Sequence, residues 1–406
     1  MEEILILGLI FLVGFIAQAL FKYTKVPESL FMIIIGLVLG PFFGIVNPSE
    51  FASYTPLVVT LTLILVLLDS GLSLSILGLT RRLGKAIVFT LIVLVCSTFL
   101  VGGVLYILGW ELLPAFLIGI VSSGTTTIVV NSLIGKLNIP EDIKQILVLE
   151  SIINDVTLVT GAVLVIQLMQ LGTLDTTRVI LTVLQPILIS ILLGIVFAIL
   201  WVNVVWWSYK GEELLYCFTL GMLFLLYFFV DFIHGNGAIA VLVLSLTLGN
   251  FPVICDKIGN SRFTKEYPTT IKILADRSRK VVTEIRKTQI NFAFFVKIFF
   301  FVYLGIIFDT SQLNPLSVSL CALILLLMFV SRFVSTRIIG LWDSNFKKYS
   351  MIISSMVARG FTATFIALLP ATMGIDIPYF KEIILLIVLF STFPTIVGAI
   401  VFGRKK

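Results

Sequence analysis

The stretch Glu150-Ser-Ile-Ile-Asn154-Asp155 places two carboxylates and an amide inside an otherwise apolar run, LVLESIINDVTLVTGAVLVIQLM. An ionised side chain at a bilayer centre costs ~2.5–3.5 kcal/mol even on the insertion scale, so such residues mark ion routes or paired structural contacts. Helical geometry separates the two acids. Ser151 and Asp155 stand four apart and share one face, whereas Glu150 and Asn154 share another, turned by about 100°. The first face can present a hydroxyl and a carboxylate to a cavity, and the second can hold structural partners. Asp155 therefore reads as the working group and Glu150 as a paired one.

A second cluster, Ser122-Ser123-Gly124-Thr125-Thr126-Thr127, puts five hydroxyls and a glycine where a membrane helix is normally filled by Leu or Ile. These residues weaken a helix locally, and freed carbonyls are tolerated at mid-membrane only where they line a cavity or meet other protein groups. Carbonyl, hydroxyl and carboxylate oxygens together suit a hard monovalent cation such as Na+, and this cluster beside Asp155 and Ser151 would provide them. The alternative is that the hydroxyls bond back to their own helix. The other ionisable residues within apolar segments are Asp69, Lys297, Arg332 and Arg359, with Asp231 near a segment end. Acids and bases nearly balance, so a set of buried ion pairs holding helices in register is the competing reading.

These residues must be positioned by membrane helices. The chain has 406 residues, 59% of them hydrophobic and only 12% charged, with a mean hydropathy of +1.15. Apolar runs recur at the length needed to cross ~30 Å of hydrocarbon, and no run alternates as barrel strands do. The expected fold is an all-α polytopic membrane protein of about thirteen helices, beginning near residues 3, 27, 55, 86, 112, 146, 179, 213, 236, 291, 316, 350 and 381. Odd-numbered connections carry Lys22 and Lys25, Arg81, Arg82 and Lys85, Lys136 and Lys144, Lys210, a basic run from Lys257 to Lys287, and Arg337, Lys347 and Lys348, while the tail ends in Arg404, Lys405 and Lys406. Even-numbered connections carry Arg178 and Lys381 beside Glu50, Glu111, Asp175, Asp309 and Asp376. The positive-inside rule then puts the N-terminus outside and the C-terminus in the cytoplasm. The run 257–287 is expected as one long polar connection against anionic head groups.

If the seventh span is a lone connector, spans 1–6 start outside and spans 8–13 start inside, the plan of two inverted six-helix repeats. This divides the chain into a first repeat over 1–170, a linker helix over 171–212 and an inverted second repeat over 213–406, a single transport domain with no soluble regulatory domain expected. GLVLGP (36–41) is echoed by SLTLGN (245–250), and VSSGTTT (121–127) by ISSMVARGFTAT (353–364). Cys96, Cys217, Cys255 and Cys321 have no ligand spacing, and His234 stands alone, so no metal centre is expected. No cofactor, no nucleic-acid partner and no cleavable signal peptide are expected either.

At these residues the sequence resembles the monovalent cation/proton antiporter superfamily, in its sodium/proton exchanger branch with an Asn-Asp motif. VPESLFMIIIGLVLGP (26–41) is similar to that family's second helix, GAIAVLVLSLTLGN (237–250) to its ninth, ESIIND to its ESLLND, and VARGFTATFIALLP (357–370) to its Arg-Gly helix. The resemblance covers nearly the whole chain. It implies two crossing, partly unwound helices, the fifth and twelfth, and a homodimer in which a core bundle moves against a dimerisation domain. It further implies that Asp155 binds Na+ and H+ in turn with Ser151 beside it, that Asn154 braces the unwound fifth helix, and that Glu150 pairs with Arg359. Arg332 falls where the family often has a basic residue in its eleventh helix. Thr125 matches the threonine of the family's Thr-Asp-Pro motif, and Asp69 matches an acid lining its ion pathway. The aspartate and proline of that motif are Thr126 and Thr127 here, and Lys297 has no assigned place.

The function expected is therefore a secondary active sodium/proton antiporter of the cell membrane, exchanging Na+ or Li+ for H+ by alternating access, and not an enzyme. A K+/H+ antiporter and a Na+-coupled solute symporter on a related inverted-repeat fold are the alternatives. A symporter would need an organic-substrate pocket, and no cluster of aromatic or cationic side chains beside ESIIND points to one. A channel would need pore-lining repeats or a carbonyl filter, and an ATP-driven pump a nucleotide-binding loop; the sequence has neither.

Overall fold

A computed structural model describes residues 8, 12, 14–16, 28–45, 54–73, 80–134, 137–171, 176–207, 212–259, 268–308 and 315–402. Among them no strand occurs. The helices are α1 (Glu28–Leu37), extended by a π-turn over Val38–Phe42, α2 (Thr55–Ser73), α3 (Thr80–Ile107), α4 (Leu112–Val121), α5 (Thr127–Ile134), α6 (Glu141–Leu171), α7 (Thr176–Trp207) and α8 (Glu212–Phe232). They continue with α9 (Gly237–Gly259), α10 (Pro268–Ile306), α11 (Pro315–Ile339), α12 (Ser344–Lys348), α13 (Ser350–Ser355), α14 (Phe361–Thr372), α15 (Phe380–Phe390) and α16 (Thr392–Phe402). Among the described residues, nine helices are long and apolar enough to cross a membrane. The pairs α4/α5 and α13/α14 each stand where one further span is expected, while α15 and α16 together form one of the nine. The first expected span falls mostly outside the described residues. So do Lys22, Lys25, Glu50, Lys136, Asp175, Lys210, Asp309 and the basic tail, whose expected sidedness concerns residues the structure does not describe.

One expectation is corrected here. The basic run 257–287 is not a polar connection throughout, because α10 begins at Pro268 and continues unbroken to Ile306. At 1.5 Å per residue its 39 residues are about 58 Å long, well beyond the hydrocarbon thickness. Ser278, Val281, Ile285 and Gln289 are buried at helical spacing, so a core-facing stripe runs beneath the charges. The exposed Arg279 and Lys287 pair with Asp276 and Glu284 one turn away.

The chain divides into two compact units: Met1–Val59 with Arg82–Gln170 and Phe295–Lys406, and Thr60–Arg81 with Leu171–Phe294. Each unit takes segments from both halves of the sequence. In the first, α1 and the end of α10 approach backbone to backbone. A Cβ on Gly305 would lie 2.6 Å from the Gly36 Cα, and one on Gly36 would lie 2.7 Å from the Gly305 Cα, so only glycine fits at either position. In the second, α7, α8 and α9 pack together with parts of α2 and α10. Gly71 and Gly249 provide the same kind of close approach between α2 and α9. The buried Gln289 ties three helices, accepting from the Tyr216 hydroxyl at 2.7 Å and donating to the Leu65 carbonyl at 2.7 Å. A buried amide with both ends satisfied holds register where apolar side chains alone would slide.

Candidate functional site

Both interrupted helices belong to the first unit. The polar run after Val121 ends α4, where the Ser122 and Ser123 amides turn back to the Ile118 and Ile120 carbonyls at 2.8 and 2.9 Å. Residues 124–126 then run without helical bonds until α5 starts at Thr127. The second interruption spans Met356–Gly360. A buried backbone must still be satisfied. The two breaks do so through each other and through the α15/α16 junction. The Thr126 amide donates to the Ala358 carbonyl at 3.0 Å. The Val357 amide donates to Thr395 Oγ1 at 3.1 Å, and the Arg359 amide to Ser391 Oγ at 2.8 Å. The Thr126 side chain occupies the space where a Cβ on Gly360 would stand.

Asp155 reaches this crossing from α6. Its Oδ1 accepts from Thr362 Oγ1 at 2.6 Å and its Oδ2 from Thr127 Oγ1 at 3.4 Å. Thr127 opens α5 and Thr362 is the second residue of α14. One carboxylate thus meets the first turns of both distal half-helices, where unsatisfied amides and the helix dipole favour negative charge. Asp155 is half-buried. Its hydroxyl-rich surroundings supply the oxygen donors that a small hard cation or a proton would use.

Glu150 has a different environment. It is wholly buried, and Arg332 of α11 grips it with two parallel bonds, Nη1 to Oε1 at 2.9 Å and Nη2 to Oε2 at 2.7 Å. Thr125 Oγ1 adds a bond to Oε1 at 3.3 Å. The same arginine donates from Nε to the Ile353 carbonyl near the end of α13, at 2.9 Å, and lies over the Phe89 ring. A forked guanidinium on a carboxylate is the strongest paired geometry a buried ion pair can adopt. The expected pairing of Glu150 with Arg359 is therefore corrected: Arg332 takes that place. Arg359 is held in the second break by its own amide and directs Nη2 to the Ser122 carbonyl at the end of α4.

The remaining predicted residues divide in the same way. Asn154 is buried and its Nδ2 donates to the Ser123 carbonyl in the first break, at 3.5 Å. Ser151 is buried and donates back to the Val148 carbonyl of its own helix, as Ser123 does to Ile120. Asp69 lies on α2 in the second unit, half-buried and one turn beyond Leu65. Lys297 is half-buried on the part of α10 that belongs to the first unit. Sequence reasoning did not single out Thr127 and Thr362 as partners of Asp155. The available signal was a threonine within three residues of the glycine in each break, Gly124 and Gly360.

Comparison with known proteins shows the family and the fold. The family model described as sodium/hydrogen exchanger, transmembrane, matches residues 8–403. The solved structure of the sodium proton antiporter MjNhaP1 from Methanocaldococcus jannaschii at pH 8 is similar in fold, with a TM-score of 0.74 at 18% identity, covering 99% of this chain and 96% of that one. An electron-microscopy structure of the same antiporter gives a TM-score of 0.66 at 18% identity over 98% and 94% of the two chains. The Na(+)/H(+) exchanger beta of Oncorhynchus mykiss is 27% identical over 187 residues, 43% of this chain. The match spans a quarter of that relative's length. With two interrupted helices crossing beside Asn154 and Asp155 and a family match over nearly its whole length, the chain belongs to the sodium/hydrogen exchanger family of multi-pass membrane transporters.

Proposed function

We propose that this protein is a secondary active antiporter that exchanges Na+ or Li+ for H+ at a single carboxylate, Asp155. The observation that carries the reading is the contrast between the two acids of α6. Arg332 neutralises Glu150, whereas Asp155 accepts from threonine hydroxyls at the starts of two half-helices. Protonation and cation binding both use the oxygens of that carboxylate, so each excludes the other. Ser151 and the Thr125–Thr126 segment supply further oxygens, and Asp69 lines the ion route. Glu150, Asn154, Arg332 and Arg359 hold the crossing. With Arg332 and Lys297 keeping their protons throughout the cycle, one cation leaves for each proton that enters and exchange is electroneutral.

Exchange becomes obligatory if the unit carrying the crossing moves only when Asp155 is occupied, which is alternating access around a mid-membrane site. The asymmetry of the loop charges supports a cell-membrane protein with its N-terminus outside and its C-terminus in the cytoplasm, and the family resemblance supports a homodimer. The test is a pH-gradient dequenching assay in proteoliposomes, with Na+, Li+ and K+ added in turn. Wild-type protein should respond to Na+ and Li+, and Asp155→Asn should lose the response. Na+-dependent proton movement in Asp155→Asn would remove the central claim, and a response to K+ alone would make the protein a K+/H+ antiporter.

A further inference from the structure

Arg359 is 4% exposed, yet its side chain makes one hydrogen bond, from Nη2 to the Ser122 main-chain carbonyl. Its Nε and Nη1, and the neighbouring Ser122 Oγ, are buried with no hydrogen-bond partner. No ion pair of Arg359 occurs among the described residues. A buried charge without a partner is costly, and a buried donor without an acceptor adds to that cost. The end of α4 offsets part of it, since a helix C-terminus carries about half a negative charge. The guanidinium can only donate, so its missing partner is an acceptor, and the uncompensated charge makes that partner negative. The crossing is tightly packed. A Cβ on Gly124 would strike Leu158, and a Cβ on Gly360 would strike Thr126. The guest must therefore be small.

We propose that Arg359, assisted by the Ser122 hydroxyl, binds a small monovalent anion of the halide class at the helix crossing. Charge balance gives the site a use, and this part rests on the exchange reading above. A cation bound at Asp155 adds one positive charge to the crossing that already holds Arg359. An anion beside Arg359 offsets that added charge, so anion and cation bind more tightly together than apart.

The experiment is a thermal-unfolding titration of the full-length protein in nanodiscs with chloride or bromide against gluconate, at constant ionic strength. It is run once with Na+ and once with N-methyl-D-glucamine as the cation. The unfolding midpoint should rise saturably with either halide and not with gluconate, with half-saturation roughly fivefold lower in Na+. Ser122→Ala should weaken the halide effect several-fold and Arg359→Gln should remove it. If Arg359→Gln does not fold, Ser122→Ala and bromide density beside Arg359 in a high-resolution map carry the test. A midpoint indifferent to halide, or a map showing only water at Nε and Nη1, overturns the site. Equal half-saturation in both cations overturns the coupling. A halide effect in a protein that moves protons with no cation would instead refute the exchange reading and leave the anion site standing.

Discussion

Five positions apart on α6, Asp155 and Glu150 meet different electrostatic partners, and substitutions there should have different consequences. Glu150→Gln leaves Arg332 buried beside a neutral amide and should destabilise the fold by about 3–5 kcal/mol, as should Arg332→Gln. The double variant should cost less than the sum of the two, which unfolding measurements on all three would show. Thr362→Val removes the hydroxyl 2.6 Å from Asp155 Oδ1 without changing shape greatly. It should raise the apparent KM for Na+ several-fold with little change in stability, and Thr362→Ser should restore it. Helical phase was enough to separate the two acids in the sequence. The arginine that serves Glu150 could not be read there, because Arg332 is 182 positions away and Arg359 is chemically identical. Only packing decides which of them arrives with its fork in plane.

At the scale of elements, the two breaks are visible in the sequence because glycine and clustered hydroxyls replace branched apolar residues at mid-span. Their mutual bonding is not visible, since the Thr126–Ala358 and Arg359–Ser391 contacts join distant segments. The length of α10 was hidden for another reason: its charged surface masks the buried stripe of Ser278, Val281, Ile285 and Gln289. Close approach of α10 to α1 depends on Gly36 and Gly305. Gly305→Ala inserts a methyl group against main-chain atoms that cannot rotate away and should cost about 1–3 kcal/mol through overpacking. A parallel change at Gly221, whose Cβ would meet nothing within 4 Å, should cost far less, because helix propensity favours alanine. Equal effects at the two glycines would show that the α1–α10 contact is looser than described.

For the whole molecule, each compact unit takes segments from both halves of the sequence, with α4–α6 and α11–α16 in one unit and α7–α9 in the other. Hydropathy marked where the apolar helices lie along the chain, but not which of them pack together. That depends on contacts between segments far apart in the chain, such as the bidentate Glu150–Arg332 pair that joins α6 to α11. The central claim is that a cation and a proton compete for Asp155, and calorimetry tests it most directly. Na+ titrated into the purified protein, in buffers of different ionisation enthalpy on the acid side of the site's titration, should release about one proton per ion bound. Asp155→Asn should abolish both the binding heat and the release. Na+ binding without proton release, or release that persists in Asp155→Asn, would contradict the account.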